Sequence, residues 1–223
     1  MMDCELRNMD IEDIEDVLRK VEASFDVKFI DNELSHIVTF GELCDYITNK
    51  IQLKRVDSCT TQQAFYKLRN ILSISLSVDK KFILPDSELV DFLPKQSRRK
   101  RLQIIENELG FKLGVLRPKK WIIVILGILL LTSFILLFFN WQVGLLGTLF
   151  SIGGFRLANK MGNEIELKTI RQVIGKITRE NYLKSRRDPN TINKKEVEKT
   201  VRDLFCNECC LEENKLTRES RLI

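Results

Sequence analysis

The chain has little of what most enzymes use for catalysis. Its 223 residues include a single histidine, His36, and the residues around it do not form the serine, cysteine or carboxylate pattern of a catalytic triad. The sequence also lacks a phosphate-binding glycine loop, a carboxylate pair and a recognisable metal motif. We therefore expect a protein that is not an enzyme, with His36 solvated in a loop.

We expect no secretory leader either. The first residues are acidic and polar, whereas a signal peptide needs a basic start and an apolar stretch. Six cysteines without a leader fit a reducing compartment. The spacing of Cys206, Cys209 and Cys210 invites a zinc site, but no second thiol pair or histidine pair accompanies it. Small core residues are the better interpretation of these cysteines, and we expect no metal and no catalytic site.

The net charge is also small, at +5, but the positive residues are clustered. Residues 98–101 read Arg-Arg-Lys-Arg, and further basic residues follow at 117–120. Such a run can indicate nucleic acid binding. Because a strongly apolar segment follows directly, orientation of that segment in the membrane explains the run better, although the run could also contact anionic lipid headgroups. We expect no nucleic acid partner.

What the chain does have is one long uncharged segment, residues 121–155. Residues 122–139 are long enough to cross a hydrocarbon core of ~30 Å, and residues 143–158 form a second, weaker span. Lysines and arginines flank the pair on both sides, which places both flanks inside the cell. This predicts a two-pass protein of the cytoplasmic (inner) membrane, with both termini cytoplasmic and the lipid bilayer as a partner.

An internal repeat surrounds this segment. Residues 67–90 recur as residues 200–223, with apolar positions in register, such as Leu68 with Val201. Capping-box patterns at Thr39 and Thr169 each open a helix. The order predicts two three-helix units, one interrupted by the hairpin and the other split between the two chain ends. The predicted parts are 1–56, 57–118, the hairpin 119–160, 161–180, a linker 181–194, and 195–223.

Residues 21–29 and 37–47 carry the most specific pattern. The run Thr-Phe-Gly-Glu-Leu-Cys-Asp-Tyr-Ile at 39–47 resembles the third helix of acyl carrier proteins, and residues 201–223 resemble their first helix and following loop. The resemblance implies an all-α fold: two acyl-carrier-like bundles, one of them circularly permuted, plus a two-helix transmembrane hairpin.

The family carries a 4′-phosphopantetheine arm on a serine that opens the second helix. In the split unit the matching position is Ile11, and residues 1–16 contain no serine. In the central unit the nearest serine is Ser97, without the family's preceding Asp or following Leu; it also fits an ordinary helix N-cap. We therefore expect a non-catalytic, membrane-anchored binding or scaffold protein that recruits a cytosolic partner. The alternative is a membrane-tethered acyl or peptidyl carrier that is phosphopantetheinylated on Ser97.

The resemblance also suggests the kind of partner. Acyl-transfer or peptide-assembly enzymes are the expected protein partners of a carrier-like fold. The apolar faces of the terminal helices can pair within one chain, or between neighbouring chains to give a homo-oligomer by helix exchange. The residues alone leave both arrangements open.

Overall fold

A computed structural model describes residues 11–30, 32–209 and 211–222. This part of the chain is mainly helical, which confirms the all-α class. Its α-helices, numbered α1 to α10 in chain order, are Ile11–Phe25, Phe40–Lys50, Thr60–Leu76, Leu89–Phe92, Arg98–Leu109, Lys120–Phe139, Trp141–Met161, Ile170–Glu180, Tyr182–Ser185 and Lys194–Glu208. Four two-residue strands, β1 to β4, are Lys54–Arg55, Leu116–Arg117, Glu164–Ile165 and Thr191–Ile192. Strand β1 pairs in parallel with β4, and β2 pairs antiparallel with β3.

The helix ends follow from local sequence signals. Both capping boxes are confirmed. The side chains of Thr39 and Thr169 accept from the backbone N–H of the third residue of α2 and α8, respectively. In return, the side chain of that third residue accepts from the backbone N–H of the capping threonine. Helix α5 ends at Gly110, whose φ of 79° is the left-handed conformation that glycine adopts most easily. Local chemistry thus fixes where these helices begin and end.

One core cluster joins the two ends of the chain. It is built from apolar side chains of α1, α2 and α10, including Val21, Phe40 and Phe205. The rings of Phe40 and Phe205 meet edge to face, with centroids 5.7 Å apart. Helix α10 therefore covers the apolar faces of α1 and α2 within the same chain.

A second core cluster forms around α3, α4, α5 and α8. Leu72, Leu102, Ile105 and Ile174 are among its buried side chains. The helix spacing in residues 98–109 predicted that Leu102 and Ile105 share the buried face, and both do. Residues on either side of the apolar segment thus meet in one core.

Helices α6 and α7 pack along each other outside these cores. A Cβ atom on Gly147 would lie 2.9 Å from the Cβ of Ser133, and one on Gly144 would lie 2.7 Å from the Cα of Leu137. Small residues therefore let the two backbones approach closely. The outward surfaces of both helices are covered by exposed large apolar side chains.

The predicted two-pass topology is wrong. Among the described helices, only Lys120–Phe139 is long and apolar enough to cross a membrane. Helix α7 is diluted by glycine, which adds little hydrophobicity, and its last two turns carry Arg156 and Lys160. The predicted location, a two-pass protein of the cytoplasmic membrane with both termini cytoplasmic, depended on the second span and is corrected with it.

The base of the α6–α7 pair is joined to the second core cluster. Strands β2 and β3 close it, and Gly162 lies so near Arg117 that a Cβ would be 2.6 Å from the Arg117 carbonyl carbon. Arg98 is buried and donates from Nε to the Leu93 carbonyl at 2.9 Å and from Nη1 to the Asn163 carbonyl. Arg99 donates to the carbonyls of Gly162 and Lys160. The first two arginines of the basic run therefore bind backbone carbonyls, most of them at the end of α7 or directly after it.

Candidate functional site

Ser97 lies at the N-cap position of α5, with φ −111° and ψ 3°. Its backbone N–H donates to the Pro94 carbonyl at 3.1 Å. The hydroxyl is half-buried and makes no hydrogen bond to the residues that the structure describes. The N-cap interpretation is therefore right about the position, but the side chain does not cap the helix.

The surroundings of Ser97 are positively charged. The next four residues are basic, and Arg101 donates from Nη1 to the Phe92 carbonyl at 3.0 Å. Lys95 is paired with Glu164 at 3.6 Å. A phosphoester on this hydroxyl would lie at a helix N-terminus beside guanidinium groups, both of which favour negative charge. The family that the sequence resembles usually presents an acidic second helix to its enzymes, and this basic segment differs from it.

The loop before α2 places His36 near three polar side chains. The carboxylate of Glu33 accepts hydrogen bonds from the Lys50 ammonium and the Tyr46 hydroxyl. The hydrogen bond from Lys50 lowers the pKa of Glu33 most, followed by those from Tyr46 and from the Ile30 backbone, and the pKa falls to about 2. The exposed His36 ring only meets the Tyr46 ring edge to face, with centroids 5.8 Å apart. The cluster fixes the loop and brings no nucleophile to His36.

Three cysteines pack at the first core cluster, whereas Cys59 is exposed before α3. Cys44 is buried, and burial raises the pKa of its thiol to about 12. Cys206 and Cys209 are partly buried against the same cluster. Within the ranges that the structure describes, no three histidine, cysteine or acidic side chains gather in a possible metal site; Cys210 lies outside the described residues.

Ser87 and Ser220, the serines shared by the repeat, each close a turn. The Leu84 N–H donates to the Ser87 hydroxyl at 3.0 Å, and the Thr217 N–H donates to the Ser220 hydroxyl at 3.0 Å. Each hydroxyl in turn lies within donating distance of a backbone carbonyl in its own loop. These side chains serve the loop, as expected for turn residues.

Sequence reasoning missed a buried polar cluster around Arg186. Residues 181–194 were expected to be a linker, yet they hold α9, β4 and the buried side chains of Tyr182 and Arg186. Arg186 donates to the Thr191 hydroxyl at 3.0 Å and lies 3.7 Å from the Glu196 carboxylate. Burial raises the pKa of Tyr182 to about 12. A four-residue helix has too few turns to show a period, so no sequence pattern could have revealed it.

This cluster connects elements of both cores. Arg186 donates from Nη2 to the Ser58 hydroxyl at 2.8 Å, and the Thr60 N–H donates to Glu196 at 3.0 Å. Ser58 and Thr60 begin α3 of the second core cluster, whereas Glu196 belongs to α10 of the first. The polar groups are bonded to one another, and the cluster therefore has a structural role.

Comparison of the chain with protein-family models, with curated proteins and with solved structures gave no match. The resemblance to acyl carrier proteins stays a prediction that is based on the quoted residues. The function is argued below from the geometry of this chain.

Proposed function

We propose that the protein is a non-catalytic, membrane-anchored binding or scaffold protein that recruits a protein partner through two acyl-carrier-like helical units. The observation that carries the proposal is a set of backbone hydrogen bonds that occurs twice, at corresponding positions of the repeated segment. One set joins the loop after α10 to the start of α2. The other joins the loop after α3 to the start of α8.

The first correspondence lies at the capping boxes. The N–H of Phe40 donates to the Ser220 carbonyl at 2.9 Å, and the N–H of Ile170 donates to the Ser87 carbonyl at 3.1 Å. Each pair follows a capping threonine and uses a serine shared by the repeat. Matched backbone contacts at matched sequence positions support two copies of one helical unit.

The second correspondence follows the middle helix of each unit. The Glu22 carboxylate accepts from the Phe29 N–H at 2.6 Å, and the Glu106 carboxylate accepts from the Leu113 N–H at 2.7 Å. Both glutamates occupy the same place in their helices, three residues before the last residue of α1 and of α5. The same order of helices and loop contacts in both units supports an acyl-carrier-like fold. The α6–α7 hairpin is inserted in one copy of the unit, and the other copy is split between the chain ends.

The scaffold interpretation depends on the attachment site. The split unit has Ile11 where a carrier has its serine, and Ser97 of the central unit follows Gln96 instead of an aspartate. Without the thiol arm, such a unit retains its surface for a partner but cannot carry an acyl group. Acyl-transfer or peptide-assembly enzymes are the partners proposed for it.

Co-expression with a phosphopantetheinyl transferase tests this directly. We expect the intact mass of the purified full-length protein to equal that of the unmodified chain. The positive control is a typical acyl carrier protein in the same co-expression, which must gain the phosphopantetheine arm. An added arm on this chain that disappears in Ser97→Ala would contradict the scaffold proposal.

The same experiment decides for the second candidate, a carrier modified on Ser97. The observation in its favour is the hydroxyl of Ser97, which lies at the N-terminus of α5 without a hydrogen bond to the described residues. A free hydroxyl at a helix N-terminus is suited to a phosphoester. The basic residues that follow Ser97 argue against this candidate, because carriers usually present an acidic helix to their enzymes.

Membrane attachment is proposed to reside in α6. Its side chains are apolar over the whole helix and almost none is buried. At roughly 25 cal/mol per Å² of apolar area removed from water, such a surface strongly favours a lipid environment. We assign no position in the membrane to α7.

Replacing Leu131 by arginine is expected to release the protein from membranes. Leu131 lies near the middle of α6 and is exposed, and an arginine at the centre of a membrane helix costs about 2.5–3.5 kcal/mol. That corresponds to a roughly hundredfold lower partition, which flotation with neutral phosphatidylcholine vesicles measures. Leu131→Ala is the matched control and should float with the unchanged protein. Flotation of the arginine variant at the unchanged level would rule out α6 as the anchor.

A further inference from the structure

A cleft with a volume of about 660 Å³ opens beside α3 and collects positive charge. Its basic side chains come from α3, from the 3₁₀ turn after it and from the segment after α9; they are Lys67, Arg69, Lys80, Arg186 and Arg187. No carboxylate lines this cleft among the described residues. The Arg186 side chain is fully buried, so the other four carry the positive charge of the concave surface.

Four of these five cations form no ion pair within the described residues. Arg186 is paired with Glu196, 3.7 Å away, whereas Lys67, Arg69, Lys80 and Arg187 are not paired in these ranges. The Asp79 carboxylate interacts electrostatically with Arg69 but pairs with Lys81, at 3.1 Å. The cleft therefore keeps an excess of positive charge, which raises the local concentration of anions.

Neutral groups hold the cations in place. Lys67 donates from Nζ to the Lys184 carbonyl at 2.8 Å, and partial burial lowers its pKa. Arg69 donates from Nε and Nη2 to the Lys80 carbonyl at 2.9 and 2.8 Å, which fixes the planar group and leaves Nη1 for a ligand. At Arg187 the contact is through the backbone: its main-chain N–H donates to the Gln63 side chain at 2.8 Å, and the side chain stays exposed. A bound anion would supply the negative charge that these contacts lack.

We propose that this cleft binds a small ligand through a phosphate or diphosphate group. Phosphate oxygens accept several charge-assisted hydrogen bonds at once, and arginine matches their geometry particularly well. The volume lies in the range of small-molecule sites. The half-exposed ring of Tyr66 at the rim offers a flat face to the remainder of the ligand. A soluble phosphorylated compound and a phospholipid headgroup share this chemistry.

Calorimetric titration of the full-length protein in neutral detergent with inorganic pyrophosphate tests the site. We expect saturable binding that Lys67→Gln and Arg187→Gln each weaken by roughly tenfold or more. Lys112→Gln is the matched control, because Lys112 is exposed, unpaired among the described residues and outside the cleft. It should bind as the unchanged protein does.

A second experiment distinguishes a soluble phosphorylated ligand from a phospholipid headgroup. The protein is reconstituted in phosphatidylcholine nanodiscs with or without phosphatidic acid, and the titration with pyrophosphate is repeated. Weaker pyrophosphate binding with phosphatidic acid would assign the cleft to a lipid headgroup, and unchanged binding would assign it to a soluble ligand. Absence of binding, or equal affinity in all four proteins, would overturn the proposal.

Discussion

Replacing Phe205 by alanine is expected to lower the free energy of unfolding by about 3–5 kcal/mol, the usual range for a phenylalanine removed from a packed core. Phe205 is 0% exposed and lies in α10, where its ring meets Phe40 of α2. The lost ring would leave a cavity between the two ends of the chain. The loss has this size only if α10 packs on α1 and α2 in the folded protein.

Thermal and urea unfolding, followed by circular dichroism, measure the change. Phe82→Ala is the matched control, because Phe82 is 64% exposed in the 3₁₀ turn after α3, and its effect should stay within about 0.5 kcal/mol. Equal stability of the two variants would contradict the packing of α10 on the N-terminal helices. Repeating the unfolding at several protein concentrations distinguishes pairing within one chain from exchange between chains, since only an exchanged dimer becomes more stable as concentration rises.

The parts of the fold that the sequence predicts are those with a local chemical cause. Thr39 and Thr169 mark helix starts because a capping box needs only four residues. The bounds Arg98–Leu109 could be predicted because Ser97, a helical apolar period and Gly110 all agree. Residues 122–139 could be recognised as a helix because they are apolar apart from Thr132 and Ser133.

Other features depend on contacts that no local pattern carries. The close approach of α6 and α7 depends on Gly144 and Gly147 of one helix lying against Leu137 and Ser133 of the other. The charge of the run at 98–101 predicts a role at the membrane, yet Arg98 is buried because the carbonyls of Leu93 and Asn163 accept its hydrogen bonds. The candidate cleft could not be predicted at all, because Lys67 and Arg187 are 120 residues apart in the chain and meet only in the fold.

The ion pair of the buried Arg186 with the partly exposed Glu196 leads to the second large effect. Arg186→Met is expected to destabilise the protein by about 3–5 kcal/mol, because it leaves the Glu196 carboxylate without its counter-ion and buried hydrogen-bonding groups without a partner. The Arg186 side chain is fully buried, and Glu196 is 21% exposed. The substitution would also remove the donors to Ser58 and Thr191.

Arg187→Met is the matched control, because this neighbouring arginine is exposed and makes no ion pair among the described residues. Its effect on the free energy of unfolding should stay within about 0.5 kcal/mol. An Arg186→Met variant as stable as this control would show that the cluster does not hold the two cores together.

Combining Arg186→Met with Glu196→Gln isolates the charge interaction. The glutamine still accepts from the Thr60 N–H but carries no charge, so the double variant should lose less stability than the sum of the two single losses. Strictly additive losses would mean that the hydrogen bonds of Arg186, and not its charge, hold α3 and α10 together. A positive coupling would instead make the ion pair the connection between the two cores, since Glu196 lies on α10 while Arg186 binds Ser58 and Thr60 at the start of α3.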